Sequence, residues 1–112
     1  MEMKFVSVFG VESTVVFKKG RYLNNGNLYV GAFSVDEEGY YELFCPVTVN
    51  LGVALEDDMA YIDDNNADRN LLKALIDAGH MTYMFESRQS GFCNYLLFRF
   101  SDDFLNAVED MK

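Results

Sequence analysis

The sequence predicts an α+β fold: a single domain over residues 1–112, an antiparallel sheet of six or seven strands with two short helices packed on it. Three observations predict it. Short β-branched and aromatic runs recur along the chain, separated by turn residues. Only two stretches, 69–79 and 102–112, space their apolar residues as a helix does. Half of the 112 residues are hydrophobic and 15% are aromatic, enough for one core and incompatible with disorder despite a net charge of −9.

Taken in order, Lys4 to Gly10 and Ser13 to Gly20 read as strands joined by a tight link at Gly10-Val11-Glu12. Asn24 to Asn27 ("NNGN") is a turn, because Asn and Gly tolerate positive φ. Leu28 to Val35 is apolar on both faces and belongs in the middle of a sheet. It pairs across the four-residue loop "DEEG" with Tyr40 to Val47. Pro46 has no ladder donor and belongs at a strand end, a bulge or an edge. Val47 to Leu51 and Met59 to Ile62 continue as short strands.

The first helix places Leu71, Leu72, Leu75 and Ile76 on one face. Asn66 is its expected N-cap, with Asp68 in the first turn and Gly79 at the C′ position. Strands then follow at Met81 to Ser87 and Phe92 to Phe100, flanking a hairpin connection "RQSG". Ser101 caps the closing helix, whose buried stripe is Phe104, Leu105 and Val108. Leu72, Leu75, Ile76, Phe98 and Phe100 are the predicted core.

Charge is unevenly placed. From Tyr22 to Asp68 there are ten acidic residues and no Lys or Arg; the rest of the chain has nine basic and eight acidic residues. Direct DNA or RNA binding is disfavoured, since it needs a surplus of cations to displace phosphate counterions. A basic surface on another protein is the partner that the charge permits. The candidate interaction residues are Asp36, Glu37, Glu38, Glu56, Asp57, Asp58, Asp63 and Asp64. The bland alternative is that these acids only keep a β-rich surface soluble.

No cofactor, metal or catalytic group is expected. Asp64, Asn66 and Asp68 stand at the first, third and fifth positions of a calcium loop, but Arg69 replaces the required glycine and Leu75 the bidentate Glu. One histidine, His80, and two cysteines 48 positions apart give no zinc spacing. Cys45 and Cys93 lie in apolar runs, which predicts free, inert thiols and no disulfide between them. Asp57 with Asp58 and Asp63 with Asp64 are adjacent, which is not the opposed geometry of acid/base catalysis. No stretch of 18 apolar residues predicts a membrane span, and "MEMKFVSVFG" is not a signal peptide; a cytoplasmic location is expected.

Three segments in order, "TVNL" (Thr48 to Leu51), "AYIDDNN" (Ala60 to Asn66) and "SGFCNYLLFRF" (Ser90 to Phe100), resemble an uncharacterised domain-of-unknown-function family. That family is carried on bacterial conjugative transposons, plasmids and phages. Its members often have threonine at the position of Asp64 and proline at that of Leu96. The resemblance implies acidic accessory cargo of a mobile element, some of which antagonises host restriction or CRISPR defence by binding a nuclease. It transfers no catalytic residue. It also points to turn and cap chemistry in the AYIDDNN motif, with Asp63 and Asn65 bonding nearby backbone. The expected function is a non-enzymatic interaction protein. The alternatives are a small-molecule-binding or minor enzymatic domain with an aromatic pocket, and an accessory of conjugation.

Overall fold

A computed structural model describes residues 1–111. The chain runs β1 (Glu2–Val6), β2 (Glu12–Arg21), β3 (Leu28–Val35), β4 (Tyr41–Pro46), β5 (Thr48–Val49) and β6 (Met59–Ile62). Helix α1 (Arg69–Asp77), β7 (Met81–Ser90), β8 (Cys93–Phe100), α2 (Asp102–Ala107) and β9 (Glu109–Asp110) follow. The fold is mainly β.

The strands form two sheets, not the single sheet of six or seven that the strand count suggested. The first has the antiparallel order β1-β2-β3-β4, with β9 running parallel to β2 at Lys18 and Lys19. The second has the antiparallel order β5-β6-β8-β7. The division occurs at Pro46 and Val47. Pro46 ends β4, where its missing N–H costs no ladder bond. The Val47 N–H then donates to the Val30 carbonyl in the first sheet, while its own carbonyl accepts from Asp63 beside the second, both at 2.9 Å. Thr48 reinforces the corner, its Oγ1 accepting the Val30 N–H at 3.1 Å and lying 3.1 Å from the Tyr22 hydroxyl.

Leu28–Val35 is central, as its two apolar faces require, between β2 and β4. Gly31 leaves room there for the Tyr29 phenol that lies across the strand, which a Cβ would displace. One buried core joins Val15, Phe17, Val30 and Ala32 of the first sheet to Ile62, Phe98 and Phe100 of the second. Phe104 of α2 bridges them, its ring centroid 5.4 Å from those of Phe17 and Phe100. Leu71, Leu72 and Leu75 add the face of α1.

Ile76 departs from expectation and is 44% exposed. At about 100° per residue it lies about 140° around the helix from Leu71, at the margin of the stripe. The N-cap is Asp68 and not Asn66: Asp68 has extended backbone, and its Oδ1 accepts from the N–H groups of Asn70 and Leu71. At the other end Gly79 (φ 77°) closes the helix, with Gly79 N–H to the Ile76 carbonyl and His80 N–H to that of Leu75. Ser101 caps α2 as expected, accepting from the Phe104 N–H at 3.1 Å.

Two hairpin details also differ. β7 continues through Arg88, Gln89 and Ser90, so the connection to β8 is the two-residue turn Gly91-Phe92, with Gly91 at φ 60° as its first central residue. In β4, Leu43 faces Phe33 and Cys45 faces Ala32, which makes Phe44 the extra residue of a bulge.

Burial separates two neighbouring residues of α1. Leu75→Ala is expected to cost about 2–5 kcal/mol. Ile76→Ala, at a half-open position, is expected to cost about 1 kcal/mol or less. Urea unfolding of both variants checks this; equal losses would contradict the stated helix face.

Candidate functional site

Three loops meet beside the first sheet. The β1–β2 turn (Ser7 to Val11), the bulged end of β4 (Phe44 and Cys45) and the turn before α1 (Asn65 to Asp68) line an open groove of about 550 Å³. Short polar groups hold each wall. Ser7 Oγ accepts the N–H groups of Phe9 and Val11 at 3.3 Å, folding the first turn. Asp68 Oδ2 accepts the Val8 N–H at 3.1 Å, and Asn70 Nδ2 donates to the Val6 carbonyl at 3.0 Å. The capping aspartate thus also pins the β1–β2 turn to the start of α1.

The AYIDDNN motif divides its polar residues among separate tasks. Asp63 is buried, and its carboxylate accepts from both the backbone N–H and the side-chain Nδ2 of Asn66. That is the local turn chemistry expected of Asp63, and it removes this residue from the exposed set. Asn65 does not bond nearby backbone; its Nδ2 donates to Cys93 Sγ (2.9 Å) and to the Tyr95 hydroxyl (3.2 Å) on β8. Asp64 is exposed, one residue before the groove wall.

The remaining candidate acids fall into two groups. Asp36, Glu37 and Glu38 form the exposed β3–β4 hairpin tip, where Asp36 Oδ1 accepts the N–H groups of Glu38 and Tyr40 at 2.9 Å. Glu56, Asp57 and Asp58 are differently placed. Arg99 of β8 pairs with Glu56, and its Nε lies 3.1 Å from Asp58 Oδ2 without hydrogen-bond alignment. Arg21 donates to the Asp57 carbonyl at 2.9 Å. The span that carries no base in sequence therefore meets two arginines in space, and its field is partly cancelled there.

The thiols lie near this groove. Cys45 is buried, and burial pushes its thiol up, opposed by a hydrogen bond from the Asp68 backbone and reinforced by the Asp68 and Asp63 carboxylates. Such a thiol is a poor nucleophile at neutral pH. Cys93 is partly exposed, and both cysteines are free. His80 sits beyond the far end of α1, its ring tilted at 41° against that of Phe104 with centroids 5.2 Å apart. The nine residues of α1 span about 13 Å, so the helix separates His80 from the Asp68 end where Cys45 lies.

A family model described as Domain of unknown function (DUF4313) matches residues 16–111. The chain belongs to this family. Within the DUF4313 stretch lie β2 from Val16 onward, β3 to β9, both helices, Phe44 and the Asn65–Asp68 wall; the Ser7–Val11 wall precedes it. Neither a curated protein nor a solved structure matches the chain. No helix among the described residues is long and apolar enough to cross a membrane.

Sequence reasoning missed the Phe9–Phe44 side of the groove. Phe9 falls within the strand expected over Lys4 to Gly10, whereas β1 ends at Val6 and Gly10 (φ 77°) marks the turn.

The two thiols should react unequally. At neutral pH a disulfide-exchange reagent is expected to modify Cys93 first and Cys45 only on unfolding or as pH rises above the ordinary thiol range. Two thiols should be counted in denaturant without reductant. Single Cys→Ser variants assign the phases; a fast Cys45 phase in the native protein would contradict its burial.

Proposed function

We propose that this DUF4313 protein is a non-enzymatic interaction protein that engages a basic surface on another protein, of the host or of a mobile element that carries it. Five exposed carboxylates, Asp36, Glu37, Glu38, Glu42 and Asp64, support this reading, because none forms an ion pair among the described residues. Exposed Tyr40, just before β4, and Tyr41, Leu43 and Phe44 within it accompany them, with the Lys18 ammonium 4.1 Å over the Tyr41 ring. Apolar area bordered mainly by one sign of charge suits a recognition surface. Unpaired carboxylates steer a cationic partner and repel nucleic acid.

The target class that suits this chemistry is a protein with a basic nucleic-acid groove, such as a defence nuclease. Glu56 and Asp58 contribute less than their sequence cluster suggests, since Arg99 already faces both. An open groove, in place of an enclosed aromatic cavity, weighs against the small-molecule alternative.

The test compares plasmid or phage entry into a restricting or CRISPR-bearing host with and without the protein. The variant D36N/E37Q/E38Q/E42Q keeps the Asp36 acceptor oxygen and removes four charges. Protection by the wild type that falls at least about tenfold in the variant is expected, with no DNA or RNA retardation near physiological salt. Equal protection by both would contradict the electrostatic account. No protection by the wild type would overturn the antagonist reading.

A further inference from the structure

We propose that the groove beside β4 docks an extended segment of a partner protein, seating an aliphatic side chain against Phe9 and Phe44 and setting Lys or Arg beside Glu42 and Asp64. This rests on the interaction reading above and names where on the surface, and for what chemistry, recognition occurs.

The groove is apolar where a segment would lie and acidic along its margins. Val8, Phe9 and Val11 are 51%, 88% and 58% exposed on one wall. These side chains stand on a turn whose backbone is held by Ser7, Asp68 and Asn70, so the wall is formed before anything binds. Phe44, the extra residue of the β4 bulge, lines the same groove, braced edge-on against Phe5 at 5.7 Å. A bulge re-aims a side chain that regular alternation would point elsewhere. An exposed phenylalanine and a braced one lining one open groove offer an unfilled aromatic anchor site.

Charge decides the occupant. Glu42 precedes Phe44 by two residues, and Asp64 precedes Asn65; each is exposed and unpaired among the described residues. No Lys or Arg lines the groove. A second copy of this chain would bring a net charge of −9 and the same acidic margins, setting like charges together. A basic segment from another protein meets the margins with the opposite sign. The open form of the groove suits an extended chain that enters and leaves at its ends.

Three synthetic hexapeptides test this by amide chemical-shift mapping on the full chain: alternating Lys/Leu, Lys/Ser and Glu/Leu. The Lys/Leu peptide is expected to shift Val8, Phe9, Phe44 and Asn65, and to weaken as salt rises from about 50 to about 500 mM. Phe9→Ser, at a side chain exposed enough to spare the fold, is expected to weaken it about fivefold or more. E42Q/D64N is expected to abolish its preference over Glu/Leu. If Lys/Ser binds as well as Lys/Leu, away from the groove, this inference fails while the acidic reading stands. If neither Lys peptide binds, both fail. Equal binding of Glu/Leu, or groove shifts that appear with protein concentration alone, would give the groove to another occupant and overturn the proposal.

Discussion

Val47 is the residue on which the two-sheet arrangement depends. It is fully buried between a strand that ends at Pro46 and one that begins at Thr48, and its two backbone groups serve different sheets. A buried peptide group without a partner costs about 1–3 kcal/mol, so a chain leaving one ladder must find its bonds elsewhere. Here Val30 supplies the acceptor and Asp63 the donor. The corner therefore fixes where β6 ends and where the turn into α1 begins. Asp63, thus placed, organises Asn66, and the chain reaches Asp68 at the mouth of the groove.

From that corner the candidate site follows by short steps. Asp68 both caps α1 and receives the Val8 N–H, so one carboxylate couples the helix start to the β1–β2 turn. Removing it would loosen a wall of the groove as well as the helix, the reason that the motif "DDNNAD" reads as architecture first. Its remaining exposed acid, Asp64, sits where architecture leaves it free. Acids spent on structure and acids left to solvent are thereby separated within six residues. The same division holds between Glu37 and Glu38 of the hairpin tip and the Arg99-paired Glu56 and Asp58.

Local signals were legible in the sequence; long-range ones were not. The caps at Gly79 and Ser101, the central place of Leu28–Val35 and the strand end at Pro46 follow from the chemistry of single residues and their immediate neighbours. The DUF4313 match agrees with the resemblance drawn from the three segments, though not with any particular genomic setting. The two-sheet division was hidden because a strand's pattern shows that it pairs, not with which sheet. Asn66 and Asp68 are both good caps, and only the backbone geometry distinguishes them. Arg99 lies more than forty residues from Glu56, so no window of charge counting could anticipate their pairing. Phe44 and Phe9 were invisible as a pair for the same reason: a bulge and a turn, each set by tertiary context, aim them at one groove.

Backbone amide exchange, resolved by residue, tests the Val47 corner most directly. If this residue joins the two sheets, the Val47 and Asp63 amides should exchange only through global unfolding, with protection equal to that of the β3 and β8 strand centres. Their protection should fall with denaturant as steeply as overall stability does. Exchange of either amide at the rate of the exposed hairpin at Asp36–Gly39 would show that the corner opens independently, and would contradict the account.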